Sequence, residues 1–253
     1  MIRLADFWED TEQVVAANTD VAPVAVLDIG SNSVRLVVYE RLSRALTPVF
    51  NEKAACALGR GVATSGRIAE ENLRLAVQAI RRFALITRLM HVVDVHVIAT
   101  SAVREAANGA EFMREVTGLM RQPGMGVSGA GGAHFAALGV VSGIPGFEGV
   151  VGDFGGGSLE LSLVTEGADA PGETLQLGAI RLQDDSNMSP PKAHELAQVQ
   201  LERSNVVLPG RMRDFCAIGG TWRSLAKLVQ IRQNYPLHMV HNFVAKAEDV
   251  LDR

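Results

Sequence analysis

The stretch VVGDFGGGSLELSLV at residues 150–164 repeats, in altered form, the stretch VAVLDIGSNSVRLVVYE at residues 24–40. In both, a run of apolar β-forming residues ends in Asp-x-Gly, passes through a short polar turn and resumes as a second alternating strand. Glycines let a backbone approach an anionic oxygen closely, and successive N–H groups of such a turn point the same way. Either hairpin alone also fits an ordinary glycine turn, but the repetition predicts two related halves that face a phosphorylated ligand.

The residues around the two turns are the first candidates for a ligand site. Asp28 and Asp153 close the first strand of each hairpin, and a carboxylate at that point is suited to hold a hydrated divalent cation. The predicted phosphate-binding residues are those of the turns themselves: Gly30, Ser31, Asn32 and Ser33 in the first, and Gly155, Gly156, Gly157 and Ser158 in the second.

A third candidate phosphate site lies in FCAIGGTWRSLAKLV, residues 215–229. The segment has the pattern of an apolar strand, a turn of Gly219, Gly220 and Thr221, and an amphipathic helix. Helix N-termini bind phosphate through free N–H groups and the helix macrodipole. We therefore expect this turn to bind a phosphate group as well.

A fourth candidate lies in VHVIATSAVREA, residues 95–106. A buried strand is predicted to end at Thr100 and Ser101, and the following helix carries Arg104. Small hydroxyls cap helices, and a guanidinium binds two oxygens at once, so these residue types suit a polyanion. Taken alone, Arg104 fits a solvated helix charge equally well.

These four segments, in this order, resemble the exopolyphosphatase and guanosine pentaphosphate phosphohydrolase family (Ppx/GppA), a branch of the superfamily that includes actin, hexokinase and the heat-shock chaperone ATPases. The resemblance rests on DIGSNSVRL, ATSAVREA, GDFGGGSLEL, LGAIRL, AIGGTWRSLAKL and YPLHMVHNF, which are spread over most of the chain. It implies an α/β fold of two ribonuclease-H-like (actin-like ATPase) domains with an interdomain cleft. It also implies Mg²⁺ and the hydrolysis of a terminal phosphoanhydride, in inorganic polyphosphate or in the guanosine pentaphosphate of the stringent response.

The resemblance also implies roles for individual residues. Asp28 and Asp153 would hold the Mg²⁺ ion, while Arg35 and Arg104 would neutralise charge on the phosphate oxygens. Glu160 is a candidate structural or metal-organising acid and a weaker candidate for the base, because alternation along its strand leaves open whether it points into the cleft or away from it. The expected catalytic residues are Asp153, Glu160 and Arg104, and the remaining phosphate contacts are Thr100, Ser101, Gly219, Gly220 and Thr221, the last three for a more distant phosphate or a base-linked group.

One segment departs from the family pattern. The family usually carries an acidic run before an Ala-Arg helix, and one of its glutamates is taken to be the base that activates the attacking water. Here residues 127–141 read VSGAGGAHFAALGVV, so Ala130, Gly131 and Gly132 occupy those positions and the expected base position, Gly131 or Gly132, is vacant. A positioned base contributes about 10²–10⁴ in rate, so the sequence leaves both an active enzyme and slow or absent turnover open.

Two other functions remain open on the sequence. The vacant base position favours a catalytically impaired sensor that binds polyphosphate or the alarmone without hydrolysing it. An ATP-dependent kinase of the same superfamily would require a separate acceptor site and an adenine pocket after the Gly-Gly-Thr turn. Trp222, directly beyond that turn, disfavours such a pocket.

The pattern of elements predicts an N-terminal extension at residues 1–20, domain I at 21–140 and a shortened or incomplete domain II at 141–253. Strands and helices are expected to alternate, as in a mixed-sheet α/β fold. The expected strands are 23–29, 34–40, 47–50, 93–99 and 149–153, and the expected helices are 70–90, 110–118 and 133–141.

Composition limits the partners. The formal charge of −4 disfavours a duplex nucleic-acid surface, and no apolar run approaches the ~20 residues that span a bilayer. Cys56 and Cys216 are expected to be reduced thiols of a cytoplasmic protein. His238 and His241 have a metal-like spacing without a third ligand nearby in sequence. The expected partner is polyphosphate or a guanosine polyphosphate, and a homodimer is left open.

Overall fold

The computed structural model describes residues 22–43, 45–166, 168–206 and 214–251. The chain divides into two units, with the boundary between Val127 and Ser128. The predicted N-terminal extension at residues 1–20 lies outside the described residues. Among the described residues, no helix is both long and apolar enough to cross a membrane.

The first unit is built on one five-stranded mixed sheet. Its strands are β1 (Val24–Ile29), β2 (Ser33–Tyr39), β3 (Pro48–Ala55), β4 (Asp94–Ala99) and β5 (Gly124–Gly126), and its helices are α1 (Val62–Ser65), α2 (Glu70–Leu89), α3 (Ser101–Glu105) and α4 (Gly109–Met120). The sheet order is β3-β2-β1-β4-β5. β1, β2 and β3 pair antiparallel as hairpins, whereas β4 and β5 run parallel to β1 and are reached through the helical crossovers that parallel strands require.

The apolar residues that alternate along β1 and β2 face the core of the first unit. Leu27 on β1 and Leu36 on β2 are fully buried and share a cluster with Ile80 and Phe83 of α2. The period of 3.6 places Ile80 and Phe83 on one face of α2, which packs against β2. The same alternation places Asp28, between two buried residues of β1, on the exposed side.

The second unit repeats the central part of this arrangement. Its elements are α5 (Gly129–Gly143), β6 (Gly149–Phe154), β7 (Leu159–Thr165), β8 (Ala168–Asp169), β9 (Glu173–Leu175), α6 (Ala179–Asp185), α7 (Pro190–Leu201), β10 (Phe215–Ile218), α8 (Gly220–Arg232) and α9 (Ala247–Leu251). The strands are ordered β10-β6-β7-β8, and β9 also pairs with β7. β6 and β7 form an antiparallel hairpin, and β10 lies parallel to β6 as β4 does to β1. The two units thus have the predicted ribonuclease-H-like arrangement of a mixed sheet with helical crossovers.

Helix α5 begins earlier than the sequence predicts. The sequence predicts a helix from residue 133, and the glycines before it are a poor helix opening, since glycine costs about 1 kcal/mol per helical position against alanine. The helix instead begins at Gly129 because Ser128 caps it, its Oγ accepting from the Gly131 amide at 3.0 Å. The predicted division after residue 140 differs from the observed boundary because α5 packs on β6 and β7, burying Ala137 and Val140 against the second sheet.

Candidate phosphate-binding turns

The first turn (residues 30–33) has its carbonyls held by the chain that follows β3. The Gly30 amide donates to the Ser33 carbonyl at 3.0 Å and closes the turn. The Ser31 carbonyl accepts from the Gly59 amide at 2.7 Å, and the Asn32 carbonyl accepts from Cys56 and Ala57. Within the described chain, the amides of Ser31 and Asn32 donate to no protein acceptor, which is the arrangement of an anion-binding nest.

The second turn (residues 155–158) is closed in the same way. The Gly155 amide donates to the Ser158 carbonyl at 3.0 Å, as in the first turn. Its carbonyls are held by the first residues of α6, since the Gly155 carbonyl accepts from Ala179 at 3.0 Å and the Gly156 carbonyl accepts from Ile180 at 2.9 Å. The amides at the start of α6 are therefore used to fix this turn and are not offered to a ligand.

Arg181 adds two further bonds to the second turn. Its amide donates to the Gly156 carbonyl at 3.1 Å, and its side-chain Nε donates to the Gly157 carbonyl at 2.8 Å. All three glycine carbonyls thus accept hydrogen bonds. The amides of Gly156 and Gly157, by contrast, donate to no protein acceptor in the described part of the chain. Both turns thus present peptide N–H groups that suit phosphate oxygens.

A Leu-Gly pair anchors each turn. Leu58 and Leu177 are buried, and the glycine after each lies directly against its turn. A Cβ built on Gly59 would lie 2.7 Å from the Ser31 Cβ, and one on Gly178 would lie 2.4 Å from the Gly156 carbonyl oxygen. The internal repeat therefore extends beyond the hairpins, and the matching Leu-Gly pairs, one after β3 and the other after β9, are the sequence signal that could have revealed it.

We expect Gly178→Ala to destabilise the protein by about 1–3 kcal/mol, the usual cost of overpacking. The added Cβ meets backbone atoms of Gly156 and Gly157, which have no flexible side chain to move aside. Thermal unfolding measures the change. Gly139→Ala is the matched control, because a Cβ there meets nothing within 4 Å and helix propensity predicts a small gain; equal melting temperatures for the two variants would contradict the close packing at Gly178.

Asp153 lies near the end of β6, partly buried beside the Gly219 turn. Burial raises the pKa of this carboxyl above its ordinary value, and the charge of Arg223 opposes the shift. Gly219 has φ +117°, and a Cβ there would lie 2.5 Å from the Phe154 carbonyl oxygen and 3.2 Å from Asp153 Oδ1. Only glycine fits at this point, so the predicted turn of Gly219 is brought directly to Asp153.

The helix after that turn contributes two residues whose roles the sequence reasoning did not assign. The Trp222 ring packs against Phe154 and Phe215, with centroids 5.6 and 5.7 Å apart, and so belongs to the packing of the second unit. Arg223, in the first turn of α8, is the cation that acts on Asp153. Its position beside the predicted Gly-Gly-Thr turn is the only sequence signal for it.

Glu160 and Asp153 lie on the same face of the β6–β7 hairpin. They are directly opposed in the antiparallel register, and opposed residues project to the same side of a sheet. Ser158 Oγ donates to Glu160 Oε1 at 2.5 Å. A Cβ built on Gly132 would lie 3.4 Å from the Glu160 Cγ. The expected acid is missing at Gly131 or Gly132, and of these two positions it is Gly132 that lies beside Glu160.

In the first unit, the predicted hydroxyl residues are brought to the first turn. Ser31 Oγ and Ser101 Oγ are hydrogen bonded at 2.9 Å and buried, and the Thr100 amide donates to the Ile29 carbonyl at 3.1 Å. Arg35 is opposed to Asp28, as Glu160 is to Asp153, and its Nε donates to Asn51 Oδ1 at 2.9 Å.

The Arg104 side chain donates a hydrogen bond to the backbone in this structure. Its Nη1 donates to the Val127 carbonyl at 2.7 Å, and about a third of its side chain is exposed. The role predicted for Arg104 in neutralising phosphate stays a prediction. The sharing of one ion by Asp28 and Asp153 also stays a prediction, because the two residues belong to different units.

Within the described ranges, no group of three or more His, Cys, Asp and Glu residues is arranged to hold a metal. Cys56 and Cys216 are free thiols, and burial raises the pKa of each above its ordinary value, which favours the protonated thiol over the thiolate.

Sequence comparison identifies a family with these features. The model of the Ppx/GppA phosphatase family matches residues 15–252. Exopolyphosphatase 2 of Mycobacterium tuberculosis is 29% identical over 248 residues, covering 90% of this chain and 77% of that protein. Exopolyphosphatase 1 of Mycobacterium leprae is 32% identical over 222 residues, covering 81% of this chain and 64% of that protein.

Comparison with solved structures finds members of the same family. A crystal structure of the Ppx/GppA family member of Aquifex aeolicus matches with a TM-score of 0.67 and 26% identity, covering 85% of this chain and 71% of that one. An exopolyphosphatase from Cytophaga hutchinsonii matches with a TM-score of 0.72 and 24% identity, covering 85% of this chain and 72% of that one. At that identity the second match supports the fold alone.

Proposed function

Because the chain belongs to the Ppx/GppA phosphatase family, we propose that it hydrolyses the terminal phosphoanhydride of inorganic polyphosphate or of guanosine pentaphosphate, with Mg²⁺. The names of its mycobacterial relatives favour polyphosphate. Phosphoryl transfer relies mainly on positioning and charge stabilisation, with a residue that orients or activates the attacking water. The chain's own residues supply each of these parts in the proposal.

The observation that carries the proposal is the position of Glu160. Its carboxylate lies beside Gly132, one of the two positions at which the family resemblance leads us to expect an acid, and it shares a face of the hairpin with Asp153. Ser158 in the phosphate-binding turn donates to it and holds it in place. We propose that Glu160 takes the proton of the attacking water in this chain, more slowly than a base at residue 132 itself would.

Phosphate positioning is assigned to the two turns. The amides of Ser31 and Asn32 in one unit, and of Gly156 and Gly157 in the other, are not used by the described protein and suit phosphate oxygens. Arg223 beside the Gly219 turn would add positive charge for a second phosphate group. Hydrogen bonds between an oxyanion and backbone N–H groups are among the stronger ones in proteins.

The residues of the second unit fit Mg²⁺ better than they fit a metal that needs a full protein cage. Mg²⁺ keeps several waters and binds through one or two carboxylates plus substrate phosphate oxygens. Asp153 would provide such a carboxylate, and a cation would offset the burial that raises its pKa. When bound, the ion would neutralise charge that develops on the phosphate oxygens.

A phosphate-release assay tests the proposal. The protein is incubated with polyphosphate and with guanosine pentaphosphate, each with Mg²⁺ and with a chelator. Release that requires Mg²⁺ is the expected result, and the ratio of the two rates identifies the preferred substrate.

The vacant residue 132 favours a second function, a sensor that binds the same anions without cleaving them. Tight binding of both anions without phosphate release, under any metal condition, would establish the sensor in place of the enzyme. The shared element of the two functions is the pair of phosphate-binding turns, so the binding measurement supports both and the release measurement separates them.

We expect Asp153→Asn to abolish Mg²⁺-dependent phosphate release without lowering the melting temperature at neutral pH. Since the folded pKa of Asp153 lies above its unfolded value, its protonated form stabilises the fold, and that stabilisation is lost as the pH rises through the folded pKa. Asparagine removes the buried charge. The variant should therefore melt at or above the parent's temperature at pH 7, and this advantage should vanish as the pH falls below the folded pKa.

Asp214→Asn is the control for Asp153, because it removes an exposed carboxylate of the same unit. It should leave both Mg²⁺-dependent release and the melting temperature unchanged. Parent-like turnover by Asp153→Asn would refute the metal role, and a large drop in its melting temperature at pH 7 would refute the assigned cause of the pKa shift.

A further inference from the structure

Arg181 holds the second turn by a side-chain contact that has no counterpart at the matching residue of the first unit. When Gly59 is matched to Gly178, Arg181 corresponds to Val62, which is apolar and buried. The Arg181 Nε donates to the Gly157 carbonyl at 2.8 Å. The second turn therefore has a guanidinium contact that the matching residue of the first unit cannot make.

The composition of the two turns explains why only one requires this contact. In the first turn, the side chain of Ser31 is itself fixed by its buried hydrogen bond to Ser101. The second turn begins with three glycines, which have no side chains to bond and the greatest backbone freedom of any residue. The conformation of these three glycines is therefore set through their backbone groups, and the Arg181 Nε donates to the last of their three carbonyls.

Holding a carbonyl also orients the next amide. A trans peptide unit is planar, so the C=O of one residue and the N–H of the next point in opposite directions. The α6 amides that hold the Gly155 and Gly156 carbonyls thereby orient the N–H groups of Gly156 and Gly157. The Arg181 side chain does the same for the Ser158 N–H, which also donates to no protein acceptor in the described chain, and the Ser158 hydroxyl in turn holds Glu160.

We propose that Arg181 is a positioning residue, which keeps the peptide unit between Gly157 and Ser158 turned so that its N–H faces a phosphate oxygen. This inference rests on the proposed phosphate-binding function of the turn. Arg181 acts through the Gly157 carbonyl and not by contact with phosphate. Its effect is on geometry, so a lysine of equal charge should not replace it, because lysine lacks the planar Nε–H and presents a mobile point charge.

The test measures the turn and its ligand separately in the full chain. Hydrogen exchange of the Ala179 and Ile180 amides, which donate to the turn carbonyls, reports whether the turn is fixed. Calorimetric titration with inorganic tripolyphosphate reports its affinity. We expect Arg181→Met to speed that exchange and to weaken tripolyphosphate binding, each by about tenfold, the size of one lost hydrogen bond at its upper limit.

The matched control is Arg88→Met. Arg88 Nε donates to the Ala84 carbonyl at 2.9 Å, the same type of bond, within α2 of the other unit. It should change neither the exchange of Ala179 and Ile180 nor tripolyphosphate binding. Arg181→Lys should bind tripolyphosphate about as weakly as Arg181→Met.

Each other outcome overturns the inference in a distinct way. Unchanged exchange in Arg181→Met means that Arg181 does not fix the turn, and faster exchange with unchanged affinity means that the fixed turn is not what binds phosphate. Parent-like binding by Arg181→Lys means that charge, and not position, is what Arg181 supplies. If the parent binds tripolyphosphate with the expected variant pattern but releases no phosphate, the hydrolytic function fails while the role of Arg181 is supported.

Discussion

Gly132→Glu is expected to raise phosphate release by about 10²-fold over the parent protein, toward the range of a positioned general base. A Cβ at this position makes only ordinary contact, with the Glu160 Cγ at 3.4 Å, so the first atom of the new side chain is accommodated. Residue 132 is chosen over residue 131 because the built Cβ that meets the Glu160 side chain is that of Gly132. Glutamate at residue 132 would also favour the helix, as glycine is the costlier residue there.

The gain from Gly132→Glu should depend on pH. Two carboxylates in contact disfavour each other's ionised form, so the pKa of one of the pair is expected to rise above its ordinary value. A base must be ionised to act, and the rate advantage over the parent should therefore grow as the pH rises through that raised pKa. A pH–rate profile of the variant, with a melting curve at each pH, checks both statements.

Gly132→Gln is the control for size and helix propensity, because it fills the same space without a charge. It should gain stability and no rate. If the glutamine and glutamate variants hydrolyse equally fast, the charge is not acting as a base, and the vacant position is not what limits the parent.

The sequence was sufficient to predict the parts of the site that depend on local pattern. Alternating apolar runs around Asp-x-Gly predicted both hairpins. In each hairpin the strands cover the alternating runs, and the turn lies between them, where the alternation stops. The hydroxyls at Thr100 and Ser101 were predicted to follow a buried strand, and Ser101 bonds to the first turn. Such features are encoded in neighbouring residues, whose periodicity and turn chemistry can be identified directly.

Other parts of the site depend on contacts between residues far apart in the chain. Alternation left two directions open for Glu160, and only the pairing register with Asp153 and the packing of α5 bring it beside Gly132. The bonds from α6 to the glycine turn join backbone groups, which carry no side-chain pattern. The start of α5 was missed because a single serine cap outweighed two unfavourable glycines, a balance that summed propensities do not capture.

Glu160→Gln is expected to lower phosphate release by about 10²–10⁴-fold, if Glu160 is the group that accepts the proton of the attacking water. Glutamine keeps the size of the side chain and an oxygen that accepts from Ser158, so the turn should retain its shape. The loss should fall on kcat with KM little changed, because the interaction is made only in the transition state.

Glu173→Gln is the matched control, since Glu173 is also a bonded carboxylate of the second unit, accepting from the Asn205 amide at 3.0 Å. It should cost stability and leave kcat unchanged. The double variant Gly132→Glu with Glu160→Gln then identifies the base. If it is as active as Gly132→Glu alone, a carboxylate at residue 132 suffices and Glu160 is its substitute in this chain. If it is as inactive as Glu160→Gln, the carboxylate at Glu160 is itself indispensable, whichever residue stands at 132.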